Sequence, residues 1–217
     1  MVNDNHFDEK ILELINEAEA PETSAAHVPT TSAEIPREQQ TIYTGIKILG
    51  QWKAFEERRF LDNRLAMMVP AEFTKMDEEI ARVKYPMEQR PEMILTDSTG
   101  TSNILISYIV QKVKDSEIEL VRDKMFRILC RVNPGINPQG IGKETISGKT
   151  VAFTAFTNPT IDSKLYNLMF FLELDENVVM ISINFLANSV KYWKAPAYEM
   201  MRSIKVSETG KEQRENG

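Results

Sequence analysis

The stretch that decides the fold is Leu165-Tyr-Asn-Leu-Met-Phe-Phe-Leu-Glu-Leu174, then Asp175-Glu-Asn177, then Val178-Val-Met-Ile-Ser-Ile-Asn-Phe185. Leu168, Phe170, Leu172 and Leu174 alternate along the first run. Val179, Ile181, Ile183 and Phe185 alternate along the second, with Ser182 and Asn184 between them. A period of two puts each set on one side of a strand. So short a connection leaves room only for an antiparallel hairpin. Upstream, Thr150 to Thr157 follows the Ser147-Gly148-Lys149 turn and completes a meander. The 217-residue chain is therefore built around an antiparallel sheet.

Working toward the N-terminus, Ser116 and Glu119 form a capping box for a helix with the stripe Ile118, Val121, Met125, Ile128, Leu129 and Val132, ended by Asn133-Pro134-Gly135. Ile104 to Val113 and Met93 to Leu95 flank Asp97-Ser-Thr-Gly100 as another hairpin. Ile104, Ile106, Tyr108 and Val110 share one face of the longer strand; Leu105, Ile109 and Val113 share the other. Phe73, Met76, Ile80 and Val83 mark a short helix that stops before Tyr85-Pro86. Leu65 to Val69 is a strand ended by Pro70, Leu61-Asp-Asn-Arg64 is a turn, and Tyr43 to Leu49 and Lys53 to Arg59 are early strands. A final helix starts near Pro196 and packs Ala197, Met200, Met201 and Ile204. Helices covering a largely antiparallel sheet make an α+β fold, an α-β-α sandwich.

The N-terminal arm differs from this body. Residues 1–41 hold two basic and nine acidic side chains, a net charge of −7, while the rest holds 24 basic against 23 acidic. Within residues 1–17, Phe7, Ile11, Leu14 and Ile15 recur at helical spacing, an amphipathic helix too short to be stable alone. Residues 18–41 lack aromatics and are rich in Ala, Glu, Pro, Thr and Ser, the composition of a disordered acidic linker. Such a coil spans roughly 25–30 Å. The expected organisation is helix 1–17, linker 18–41, sandwich domain 42–206 and a disordered tail 207–217.

Chemistry is sparse. The two histidines, His6 and His27, both lie in the arm, which removes the usual base for a Ser or Cys nucleophile. The single Cys130 sits beside an apolar stripe and reads as filler. Ser163-Lys164 with Tyr166 reads as a loop running into a strand, and Gly140-Ile-Gly142-Lys143 as a turn before a strand, without the spacing of a phosphate loop. Glu56-Glu57 and Glu78-Glu79 are adjacent pairs whose side chains point apart. No His/Cys/Asp cluster has ligand spacing, so neither cofactor nor metal is expected. A net charge of −6 and the brevity of Arg58-Arg59 argue against nucleic acid. No run of about 18 apolar residues suggests a membrane span. With no leader at Met1 either, a cytoplasmic setting is expected.

What remains is contact. The helix side chains Phe7, Ile11, Leu14 and Ile15 are candidate partner-binding residues, docking on this chain's own body, a second copy or another protein. Tyr85 and Arg90 are further candidates, in the connector Lys84-Tyr-Pro-Met-Glu-Gln-Arg-Pro91. Trp52, Tyr192 and Trp193 serve either as interface anchors or as core.

Leu65-Ala-Met-Met-Val-Pro70 followed by Phe73, the Leu95-Thr-Asp-Ser-Thr-Gly100 hairpin, Lys164-Leu-Tyr-Asn-Leu-Met-Phe170, and Trp193 with Met201-Arg-Ser-Ile204 resemble the PsbP/DcrB-like α-β-α sandwich superfamily, which also holds the small Ran-binding factor of nuclear import. The resemblance covers about residues 42–206 and implies a non-catalytic binding or assembly factor, with no site residue carried over. It differs from exported members in having no leader or lipoprotein cysteine. The functional expectation is a protein-binding module, an adaptor or chaperone-like accessory factor. The alternatives are an enzyme using carboxylate, Lys or Tyr groups in a hidden pocket, and a sensor for a small apolar ligand.

Overall fold

A computed structural model describes residues 35–36, 39–86, 90–160 and 162–207. The expected helix at 1–17, most of the linker at 18–41 and nearly all of the tail at 207–217 lie outside them.

The chain runs through a two-stranded hairpin of β1 (Ile46–Ile48) and β2 (Gln51–Lys53), then β3 (Phe55–Phe60), β4 (Leu65–Pro70), β5 (Thr74–Lys75) and α1 (Glu78–Lys84). β6 (Met93–Thr96), β7 (Asn103–Ile109) and α2 (Ile118–Val132) follow. Then come β8 (Asn137–Ile146), β9 (Lys149–Pro159), β10 (Lys164–Leu174), β11 (Asn177–Leu186), α3 (Val190–Arg202) and β12 (Lys205–Val206). Seven strands form one antiparallel sheet in the order β5-β6-β7-β11-β10-β9-β8, and β12-β4-β3 form a smaller sheet. The architecture is the α+β sandwich the strand periodicities require.

Its centre is the β10–β11 hairpin, paired in unbroken register from Leu165↔Leu186 to Leu174↔Asn177. Leu168, Phe170, Leu172 and Leu174 face one core with Val179, Ile181, Ile183 and Phe185. α3 and the small sheet close that side with Trp193, Ala197, Met200, Met201 and Leu65, Met67 and Val69. On the opposite face Phe171, Val178 and Ala152 pack under α2 through Ile118, Val121 and Met125. Ile42 is buried with the first core, and its N–H donates to Glu199 Oε2 at 3.1 Å, fastening the start of the body to α3.

The structure corrects several local expectations. The Gly140-Ile-Gly142-Lys143 segment is not a turn but the middle of β8, a ten-residue edge strand with a register shift between Pro138 and Gly140. Two glycines, Asn and Pro hide it, and one face carries no apolar alternation because an edge needs none. A Cβ at Gly142 would lie 2.5 Å from the Phe153 ring on β9, so a larger residue there would have to displace that ring. α3 begins at Val190, and Pro196 lies inside the helix, not at its first turn. Ser189 makes no side-chain cap to announce that start.

The Ser116 capping box is absent. A short 3₁₀ turn leads into α2, with Glu117 Oε2 accepting the Lys114 N–H at 2.9 Å and Asp115 accepting the Thr150 N–H at 2.8 Å. The C-terminal part of the predicted stripe overhangs the sheet, leaving Ile128 and Val132 exposed. α1 starts after the N-cap Asp77, so Phe73 and Met76 are core residues outside it, and α1 itself buries none of its side chains. β7 ends at Ile109, which leaves Val110 exposed while Val113 reaches the core under α2.

Candidate functional site

Phe7, Ile11, Leu14 and Ile15 lie outside the described residues. Tyr85 caps α1, its N–H donating to Ala81 O at 2.9 Å, and is half-buried. Burial raises its phenol above the ordinary value, partly offset by a hydrogen bond with Asn184. Arg90 is exposed and lines a cleft of about 220 Å³ between α1 and β6, with Lys75, Arg82 and Glu92. Tyr85 is not part of that lining, so the two connector residues do not form one site.

Beside Tyr85, Lys84 Nζ donates to Gly100 O and, at 3.4 Å, to Asn103 Oδ1. Asn103 Oδ1 also accepts the Thr96 hydroxyl at 2.8 Å, and Asn103 Nδ2 donates to Asn184 Oδ1 at 3.0 Å. Burial lowers the Lys84 ammonium, and Asp97 opposes the shift. This network holds an otherwise exposed helix against the β6–β7 turn. Its ionisable groups are engaged in tethering α1.

The β1–β2 hairpin stands apart from both larger sheets and is joined by the two-residue turn Leu49-Gly50, both residues at positive φ. Ile48 on one side is buried in the main core. On the other, Trp52 lies over Gly45, whose φ of 94° and missing Cβ make room for the indole. Tyr43 is 70% exposed, Leu49 58% and Trp52 48%. Three large apolar side chains thus reach solvent within ten residues of chain.

Beneath this hairpin a cleft of about 410 Å³ runs to the β6–β7 turn, with Ile48, Leu186 and Trp193 among its apolar lining. Trp193 is held by Phe73 and Phe185, with ring centroids 6.0 Å and 6.2 Å away. Lys53 closes one side through Glu72 at 2.6 Å and Gln51 at 2.9 Å. Asp97 organises the other, accepting the Thr101 N–H at 3.0 Å and the Thr99 hydroxyl at 2.9 Å.

A second cleft, about 600 Å³, opens between the β3–β4 turn and β6–β7. Its turn holds three successive non-glycine residues, Leu61, Asp62 and Asn63, at φ of 52°, 56° and 66°. Arg64 pins that turn, donating to Leu61 O at 2.8 Å and to Asp175 Oδ2 at 2.7 Å while lying 5.1 Å from the Tyr108 ring centroid. The guanidinium is fully engaged in joining the small sheet to the β10–β11 turn.

The other sequence candidates resolve into structure. Trp193 is core, Tyr192 packs partly against it, and Trp52 is the exposed member of the trio. Cys130 is half-buried on α2. Ser163 turns into the loop, its N–H donating to the Thr160 hydroxyl at 3.1 Å, and Lys164 is exposed. Tyr166 lies in the core stacked on Phe185 at 5.1 Å, where burial pushes its phenol up. Glu56 pairs with Arg58 at 2.6 Å, Glu57 with Lys205 at 2.5 Å and Glu78 with Arg82 at 3.5 Å. Among the described residues no group of His, Cys, Asp and Glu could hold a metal ion, and no helix is long and apolar enough to cross a membrane. The exposure of Tyr43 and Leu49 was missed in the sequence, because strand alternation does not say which sheet covers a hairpin.

No protein-family profile matches the chain, and no curated protein does. Among solved structures, the cyanobacterial PsbP protein (CyanoP) of Synechocystis sp. PCC 6803 superposes with a TM-score of 0.54 at 10% identity, over 70% of this chain and 92% of that one. LpqN, involved in cell envelope biogenesis of Mycobacterium tuberculosis, superposes with a TM-score of 0.48 at 9% identity, over 71% and 91%. The chain has the PsbP-like fold that the sequence resemblance implied.

Proposed function

We propose, with the PsbP-like fold as premise, that this chain is a non-catalytic protein-binding module, an adaptor or chaperone-like accessory factor for a larger assembly. It holds a partner at two places: the exposed β1–β2 hairpin and the tethered N-terminal helix of Phe7, Ile11, Leu14 and Ile15. The observation that carries the reading is the exposure of Tyr43, Leu49 and Trp52 on a hairpin that pairs with neither larger sheet. Large aromatics in that setting are the side chains that dominate interface energetics. The helix adds a second anchor through a linker of roughly 25–30 Å, and two linked contacts bind far more tightly than either alone.

Against an enzyme stand the fates of the shifted groups: Lys84 and Tyr85 are tied into the α1 tether and Tyr166 is buried in the core. Functional sites instead bring such groups together in a cleft. A cytoplasmic setting accords with the lone thiol of Cys130, which stays reduced there. Self-association is the nearest second reading, with the same helix seated on another copy.

The test uses full-length chains: wild type, a Tyr43→Ala/Trp52→Ala double variant and an Ile11→Asp/Leu14→Asp double variant. Affinity capture from the native cell and sedimentation velocity are run side by side. Each double variant should lose capture or dimerisation by about tenfold or more with little change in melting. Retention of every partner by both variants, or turnover of a small molecule by wild type, would overturn the reading.

A further inference from the structure

Resting on the self-association reading, we infer that the sheet face beside α2 seats the N-terminal segment of a second copy of this chain, docked there as an acidic amphipathic helix. The two faces of the central strands are covered unequally. Toward α3, Leu168, Phe170, Val179 and Ile181 are fully buried. Toward α2, Met169 on β10, Met180 on β11 and Leu105 and Ile109 on β7 are only half-buried. α2 leans away from these strands. One flank of it reaches β8 and β9, where Arg122 donates to Gly142 O at 2.7 Å and Phe126 lies 5.6 Å from the Phe156 ring centroid. Its other flank carries Val121, Met125, Ile128 and Val132 at i, i+4, i+7 and i+11, a stripe of about 17 Å. Val121 and Met125 pack in one cluster with Met169, Met180 and Ile109, whereas Ile128 and Val132 are 53% and 71% exposed. Stripe and strands are the wall and floor of an apolar groove.

The charges on α2 are sorted to match. Glu119 and Asp123 are taken up by Lys143 and Arg122. Lys124 and Arg131, four residues before and seven after Met125's neighbour in the chain, stand on either side of Ile128, exposed and without an ion pair among the described residues. The rim of the groove is therefore basic. Its floor offers side chains only, since β7 and β11 are each bonded to a strand on both edges. An occupant must satisfy its own backbone, as a helix does. Residues 1–17 have the required chemistry, with Phe7, Ile11, Leu14 and Ile15 on one face and five acidic side chains against one basic. Acid then meets a basic rim, which fixes orientation as well as partner. A copy's own segment is badly placed for this seat. The arm joins the body at Ile42, which is bonded to Glu199 on α3, the opposite side of the sheet.

The test labels the methionine methyls of full-length chains with ¹³C. Met125, Met169 and Met180 report the groove; the fully buried Met67, Met200 and Met201 report the main core. A labelled Ile11→Asp/Leu14→Asp chain, with its groove intact, is mixed with an unlabelled Ile128→Asp/Val132→Asp chain, with its N-terminal segment intact. The three groove methyls should shift saturably while the core methyls stay in place, and sedimentation velocity should show a mixed dimer. Either double variant by itself should dimerise about tenfold or more weakly than wild type. Adding Lys124→Glu/Arg131→Glu to the labelled chain should weaken the mixed pair about twofold to fivefold. Groove methyls that stay in place on mixing, or an affinity indifferent to the charge reversal, overturn the inference. So does a dimer that survives Ile128→Asp/Val132→Asp in both copies, which keeps self-association and moves its seat elsewhere. A wild type that stays monomeric removes self-association itself.

Discussion

Two hairpins in this protein use the same kind of turn and come to opposite ends. β10–β11 turns through Asp175-Glu176, at φ of 50° and 59°; β1–β2 turns through Leu49-Gly50, at φ of 50° and 82°. Both are two-residue turns with positive φ at each position, the geometry that suits strand twist. The first carries strands of 11 and 10 residues into the centre of a seven-stranded sheet, with cores on both faces. The second carries two strands of three residues that pair only with each other. The turn sets local direction, and what covers the strands sets whether the hairpin builds the core or presents a surface.

The strongest way to break this comparison is to truncate one large side chain in each hairpin. Phe170→Ala, at a fully buried position, should cost about 3–5 kcal/mol in urea unfolding, whereas Trp52→Ala should cost under about 1 kcal/mol. Equal losses would mean that the β1–β2 hairpin is part of the load and not a presenting surface. A smaller effect tests the turns. Glu176 occupies a left-handed position that glycine adopts without strain, as Gly50 does in the other hairpin. Glu176→Gly should therefore leave stability unchanged or raise it by up to about 1 kcal/mol. A loss of several kcal/mol would show that the glutamate side chain itself holds the central turn.

The smallest effect lies at the sheet's edge, where surface pairing takes the place of core packing. Arg202 on α3 donates to both carboxylate oxygens of Glu144 on β8, at 2.8 Å and 2.7 Å. The hydrogen bond to Arg202 lowers the Glu144 carboxyl below its ordinary 4.5. A lowered carboxyl binds fewer protons in the folded state than in the unfolded one. Its contribution is thus complete above the ordinary value and is lost as pH falls through the lowered one. Because both side chains are partly exposed, the contribution is at most about 0.5–1 kcal/mol. The melting difference between wild type and Glu144→Gln should be visible at neutral pH and vanish in acid. A difference that persists at the lowest pH would remove this pair from the account of the edge.

Strand periodicity was legible wherever two faces differ in what they touch. Leu168 to Leu174 and Val179 to Phe185 alternate because the main core lies on one side, while the other mixes polar Asn167, Ser182 and Asn184 with the smaller core under α2, and the Asp97 turn and the break before Pro86 are written in residues whose backbone preferences are local. β8 was not legible, since a strand at an edge, kinked by a bulge and built from Gly, Pro, Asn and Gln, obeys few of the rules that mark a buried one. The start of α3 was hidden for a related reason. Proline is a good first-turn residue, so Pro196 drew the boundary to itself, but packing of Trp193, Ala197, Met200 and Met201 carries the helix through it. Of the site, Trp52 stood out in the sequence as either anchor or core. Tyr43 and Leu49 did not, because their exposure depends on neighbours distant in the chain.

Composition, alternation and turn chemistry alone determined that this is an antiparallel α+β sandwich with an acidic N-terminal arm and no histidine in its body, since those properties are carried by each residue and its near neighbours. Only the tertiary structure decided which of its aromatics are core and which face outward, and that the Tyr166 hydroxyl is buried without a partner among the described residues. Those are properties of a side chain's surroundings, and strands separated by many residues must first come together to create them.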